Sequence, residues 1–222
     1  MEATKRAPGT LRVACSTAAP RAAAPPILSE DVERAVSGAG ELLRSLGHRV
    51  EQRDPDWGNA GNNITVRFLR GLAETVDEVP HPERLERRTR GFGRLGNAIP
   101  DALYQRAVRG READVARVNA IFDDHDVLVM PVMGSTALPV RRWESRGALW
   151  TLLGESRFYP YSVPWNHLGN PAMSVPFGFD AAGLPLAVQI VGRRGEEETL
   201  ISLAAQLEAE RPWADKRPPG FD

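Results

Sequence analysis

The chain has 222 residues, 42% of them hydrophobic, which suffices for one domain with a packed core. Its 28 basic and 29 acidic residues leave a formal net charge of -1, so it offers no field for nucleic acid or for an anionic membrane surface. A single cysteine, Cys15, excludes an intramolecular disulfide and a cysteine-rich metal site, and fits a reducing, cytoplasmic setting.

Met1 to Thr10 reads as a polar tail without the apolar centre of a secretory signal, and no apolar run approaches the roughly 18–20 residues that span a bilayer. Leu11 to Cys15 is a short strand, and the proline-rich connection from Ala18 to Pro26 cannot be helical. Ser29 is placed to cap a helix, with Glu30 and Asp31 in its acidic first turn. Val32, Ala35, Val36, Ala39, Leu42, Leu43 and Leu46 then recur at spacings of three and four on one face. Gly47 supplies the stop, and His48 to Gln52 is a second strand before the Asp54-Pro55-Asp56 turn. Asn62 to Val79 predicts a helix with Ile64, Phe68, Leu69, Leu72 and Val76 on one side.

Glu83 to Leu95 is basic and helix-compatible, ended by Gly96 and Asn97. Nucleic-acid binding through its run from Arg84 to Arg94 fails on the chain's net charge of -1 and on the absence of a recognised module. Pro100 opens the longest predicted helix, with Leu103, Ala107, Val115, Val118 and Phe122 on the buried face. Arg106, Arg109, Arg111, Glu112, Asp114 and Arg117 read as its solvated side. Asp126 to Pro131 is a buried strand. Gly134 to Val163 reads as a long irregular segment bearing Trp143, Trp150, Phe158, Tyr159 and Tyr161; such loops line a site or an interface.

From Pro164 to Leu207 the pattern is strand, turn, strand, helix. Ala172 to Val175 is an apolar run closed by Pro176, which cannot donate to a sheet ladder. Phe177 to Pro185 carries Gly178, Asp180 and Gly183, suited to a tight connection. Leu186 to Val191 is apolar except for Gln189, as in a strand covered on both faces. Glu196 to Glu208 then sets Leu200, Leu203, Ala204 and Leu207 on one helical face.

In order and spacing, Asn166, Gly169, Pro171-Ala172, Ser174, Pro176, Gly178, Gly183-Leu184-Pro185, Val188-Gln189 and Gly192 resemble the carboxyl-terminal part of the amidase-signature hydrolases. Leu207-Glu208, Pro212-Trp213 and Arg217-Pro218 continue the likeness. Asp126-Val127-Leu128 with Pro131, and the strand–helix–strand unit around Leu46-Gly47-His48, extend it back to about Leu11. Ala187 departs from it, where the family more often has glycine. The resemblance implies an α/β fold, a mixed β-sheet with covering helices that is part of the amidase-signature fold, over residues 11–222. It also implies hydrolysis of carboxylic amides to acid and amine, with neither metal nor organic cofactor.

That family is known for a Ser–cis-Ser–Lys set in a Gly/Ser-rich segment, where a serine attacks the amide carbonyl and backbone N–H groups hold the oxyanion. The lysine must be held neutral in an apolar setting. Here the only lysines are Lys5 and Lys216, both in polar terminal stretches, and the ten serines are scattered singly. The resemblance therefore implies that the catalytic segment lies upstream of this chain, that no residue here is catalytic, and that the chain alone is inactive. His167, Ser174 and Asp180 invite a Ser-His-Asp reading, but Ser174 is on a strand without a nucleophile-elbow sequence. Cys15 with His48 is weaker still, and His48, His81, His125 and His167 lack metal-ligand spacing.

By position in the family, Trp165, Asn166 and Gln189 are candidate substrate-binding residues; the alternative is that Asn166 and Gln189 only tie a loop to the sheet. Trp143, Trp150 and Tyr161 either wall an acyl pocket, pack a core or cover the interface with a missing half. The partners implied are a missing amino-terminal half, or a second copy through uncovered sheet, and a small amide once the site is complete. The other reading is a non-catalytic binding or scaffold protein that keeps the fold.

Overall fold

The computed structural model describes residues 3–216. The Arg217-Pro218 match and the first two residues of the polar tail lie outside the described residues. Among the described residues five strands make one sheet: β1 (Arg12–Cys15), β2 (Arg49–Gln52), β3 (Val127–Pro131), β4 (Ala172–Phe179) and β5 (Pro185–Gly192), in the order β2-β1-β3-β5-β4. β1 runs parallel to β2 and β3, while β5 runs antiparallel to β3 and β4, so the sheet is mixed as expected. The β1–β3 register is locked by one residue pair. The Arg12 backbone N–H donates to Asp126 Oδ2 at 2.9 Å and its guanidinium to Oδ1 at 2.8 Å. That guanidinium holds the Asp126 carboxyl below its ordinary pKa.

On one face of the sheet lie α1 (Glu30–Ser45) and α8 (Glu197–Glu210), packed on Val13, Cys15, Val127, Val129, Val188 and Ile190. Ser29 caps α1 as read, accepting a hydrogen bond from the Val32 N–H, and Gly47 ends it at a φ of 88°. Within the polar tail, Ala3–Lys5 forms one 3-10 turn against α8, where the Ser202 hydroxyl donates to the Ala3 carbonyl at 2.8 Å.

The opposite face presents Ala14, Leu128, Met130 and Val191 to Trp57, Phe122, Tyr161, Trp165 and Leu168. The cover comes from α4 (Asp101–Asn119), α5 (Ile121–Asp124) and α7 (Val163–Leu168). The central strands are thus covered on both faces by the chain's own residues. The expectation of an uncovered sheet therefore fails at its central strands, while the edge strands β2 and β4 stay largely exposed. The missing cover was α7 and α5, each too short to give a helical period.

An outer layer holds α2 (Ala60–Glu78), α3 (Arg87–Asn97) and α6 (Ala148–Phe158); α2 packs on α3 and α4, and α3 on α6. Gly96 does not stop α3 but lies within it, where a Cβ would collide with the Leu69 carbonyl of α2. Three other readings change. Residues 134–163 are not all irregular, since α6 runs through them. The apolar side of α2 is only half realised: Leu69 and Ala73 are buried but Phe68 is 45% exposed. Pro176 does not close β4, which continues through a bulge between Pro176 and Gly178 to Phe179. β4 is an edge strand, where a residue without an N–H costs the ladder nothing.

Candidate functional site

The stretch that carries the family-like residues folds as α7, a turn and β4. Pro164 occupies the first turn of α7, where its missing N–H breaks no bond, and Gly169 ends the helix at a φ of 78°. The last carbonyls of α7 are taken by two arginines. Arg111 Nε donates to the His167 carbonyl at 2.7 Å, and Arg194 donates to the Leu168 carbonyl.

The three sequence candidates sit differently around this helix. Asn166 is exposed. Trp165 is buried against Trp57, ring centroids 5.4 Å apart, and its Nε1 finds no partner among the described residues. Gln189 is buried and its Nε2 donates to the Tyr161 carbonyl at 3.1 Å, just ahead of α7 rather than in the turn after it. Gln189→Leu should lower stability by about 1–3 kcal/mol, because the Tyr161 carbonyl loses a buried donor. Urea unfolding measures this, and an unchanged midpoint would remove the structural role of that bond.

α7 is held from its other side by a buried polar cluster. His167 and Asp114 are almost fully enclosed, with His167 Nε2 at 3.0 Å from Asp114 Oδ2. Arg67 NH1 donates to His167 Nδ1 at 2.8 Å, and Asn63 Nδ2 donates to the same Asp114 oxygen at 2.8 Å. A guanidinium only donates, so Nδ1 is unprotonated and Nε2–H points at the carboxylate. Burial lowers the His167 pKa; the Asp114 hydrogen bond opposes this and the nearby Arg67 and Arg111 reinforce it. His167 is therefore neutral, and it ties α7 to α2 and α4.

Asp114 was read as part of a solvated face, and the structure corrects that. Positions 107, 111, 114 and 118 follow the period of a buried helical stripe, so the signal was present in the spacing. Its polarity masked it. Leu103, read as buried, is 45% exposed.

Between α2, α6 and the start of α7 a cleft of about 350 Å³ opens. Ile64, Phe68, Leu152, Tyr159 and Val163 line it, with the Glu155 carboxyl among them. Burial raises the Glu155 pKa, and the positive charge of Arg88 partly offsets this. None of Trp165, Asn166 and Gln189 is among the residues that line the cleft. Nor do Trp143 and Trp150 line it; Trp150 is 64% exposed, and Tyr161 is core.

The structure does not assemble the alternative triads. The carboxylate on His167 is Asp114; Ser174 is exposed on edge strand β4, and Asp180 accepts the Ala182 and Leu184 N–H groups in its own turn. Cys15 is fully buried with its thiol pushed up to about 11 by desolvation, while His48 Nδ1 accepts from the Leu11 N–H. Lys5 and Lys216 are both exposed. Among the described residues no group of His, Cys, Asp and Glu is arranged to hold a metal ion, and no helix is long and apolar enough to cross a membrane.

The family model described as Amidase matches residues 1–201. A Mycobacterium tuberculosis protein designated amidase AmiB2 is 44% identical over 218 residues, covering 97% of this chain and 47% of its own length. The acylamidase of Rhodococcus erythropolis is 29% identical over 79% of this chain and 38% of its own. Among solved structures, 6-aminohexanoate cyclic dimer hydrolase superposes with a TM-score of 0.78 at 22% identity, covering 98% of this chain and 48% of that one. A bacterial aryl acylamidase of the amidase signature family gives a TM-score of 0.73 at 19% identity, again covering 98% and 48%. The chain spans about half the length of the curated relatives it matches.

Proposed function

This chain belongs to the amidase family, and from that membership we propose that it forms the carboxyl-terminal part of an enzyme that hydrolyses carboxylic amides to acid and amine. In this reading the nucleophile and its proton-transfer partners come from a Gly/Ser-rich segment outside the chain, and residues 11–222 supply sheet, core and part of the substrate wall. The observation that carries it is a conjunction. The chain reproduces nearly half of an amidase-signature fold, while its lysines are solvent-exposed and its serines are dispersed. A neutral lysine base needs the opposite setting.

Asn166 is the residue we place against the substrate, since it is exposed at the head of the family-like turn. Its carboxamide offers both a donor and an acceptor to an amide group. Trp165 and Gln189 complete the candidate site from beneath, through the Trp57 contact and the Tyr161 bond that set the path of α7. The partner is an amino-terminal half or, in its absence, a second copy of the chain.

A fluorophosphonate probe, which marks activated serines, tests the division of labour. The chain alone should stay unmarked; mixed with the amino-terminal half of AmiB2, the label should appear on that half. Labelling of Ser174 in the isolated chain would overturn the reading. One observation favours the scaffold alternative: the central strands are already covered on both faces by the chain's own helices. A folded, monodisperse chain that never marks with any amino-terminal partner is the outcome that reading requires.

A further inference from the structure

We propose that the cleft between α2, α6 and the start of α7 binds a small apolar ligand carrying a primary ammonium group. Its size, about 350 Å³, is that of a small-molecule site. Phe68 is 45% exposed, and Tyr159 and Val163 are each 36% exposed, so three large apolar side chains are held open around one concavity. Isolated exposed side chains need no explanation, whereas apolar groups gathered in a hollow mark a binding surface.

The charge inside the cleft selects the ligand's head group. Glu155 is the one carboxylate among the lining residues, and no Lys, Arg or His accompanies it there. No described residue donates a hydrogen bond to its carboxylate. Arg88 is the cation that acts on it, yet that guanidinium is already bound to the Trp143 carbonyl at 3.0 Å and to Glu86 at 3.0 Å. The Thr65 hydroxyl is likewise committed, donating to the Gly61 carbonyl at 2.9 Å. A half-buried carboxylate with no local partner is costly, and an ammonium from the occupant satisfies it with charge-assisted hydrogen bonds. An apolar tail on the same ligand covers Ile64, Phe68 and Val163. A carboxylate ligand would meet like charge, and an alcohol would leave Glu155 without its counter-ion. The inference concerns binding alone and does not depend on amide hydrolysis.

Titration of the full chain with hexylammonium, hexan-1-ol and hexanoate near neutral pH tests it, because the three probes share one tail. Hexylammonium should bind about tenfold or more tightly than either of the others, the scale of one charge-assisted contact. Glu155→Gln should bring the ammonium and the alcohol to near parity, and Phe68→Ala should weaken all three by about fivefold through lost apolar contact. Circular dichroism confirms that each variant is folded. Equal affinity for the three probes, tighter hexanoate binding, or an ammonium preference that survives Glu155→Gln would overturn the proposal. So would a failure of all three to bind, including a cleft closed by a second copy in light scattering.

Discussion

Amide hydrolysis by this chain alone should stay at the uncatalysed background, and assembly with an amino-terminal half should raise it by about a millionfold or more, the lower end of enzymatic accelerations. The reason is chemical. An amide carbonyl needs a deprotonated oxygen nucleophile and a pre-set group of N–H donors for the developing oxyanion. Here Ser174 is on an exposed edge strand and His167 Nδ1 is occupied by Arg67. Its imidazole therefore has no free nitrogen with which to take a serine proton. Release of p-nitroaniline from a simple acyl anilide, followed for the chain, for the amino-terminal half of AmiB2 and for the two together, measures the effect. Turnover by the chain alone that Ser174→Ala abolishes would refute the division. A confirmed two-part assembly without turnover would move the balance to the scaffold reading.

The largest expected change in stability comes from Asp114→Ala, about 2–6 kcal/mol, the loss of two buried hydrogen bonds at roughly 1–3 kcal/mol each. The carboxylate serves two side chains at once, the His167 imidazole and the Asn63 amide, and its loss leaves both donors buried without an acceptor. Against a total stability of about 5–15 kcal/mol, that is a large share. Asp114→Asn, which keeps an oxygen acceptor, should cost only about 1–2 kcal/mol. Urea denaturation distinguishes the two, and equal small losses would mean that the cluster opens to water. A pH dependence follows from His167 in the same cluster. The unfolded chain protonates His167 near the ordinary imidazole value of about 6.5, while the folded chain resists it. Protons therefore favour the unfolded state. The stability from neutral His167 is complete above that value and is lost as pH falls below it. His167→Gln should flatten this part of the stability profile; an unchanged slope would assign it to other groups.

The sheet and its inner helices were legible because their residues carry the pattern that burial demands. Val127 to Met130 and Leu186 to Val191 are apolar at successive positions, and Val32 to Leu43 follows the helical period from a serine cap. The outer layer was not legible in the same way. Thr151 and Phe158 are the buried residues of α6, so its sequence carries no apolar stripe to find. α7 spans six residues, less than two turns, and Pro164 disguises it as a loop. The site divides likewise. Asn166 and Gln189 stand out as polar residues in apolar or punctuated surroundings, whereas Asp114 is hidden among five charged neighbours. The cleft draws on positions 64, 68, 155 and 163, which only the packing of α2 against α6 and α7 brings together.

The parallel pairing of β1 with β3 carries a kinetic consequence. Arg12 and Asp126, which fix its register, are 114 positions apart. At ribosomal rates of about 5–20 residues per second, β1 emerges on the order of ten seconds before its central partner exists. β1, α1 and β2 form a local unit in the meantime, as do β4, β5 and α8 at the other end of the chain. The step that joins them closes the longest loop in the sheet, and its entropy is spent before the Val13, Leu128 and Val191 contacts repay it. The slow event of folding is therefore expected to be the docking of these two blocks across β3.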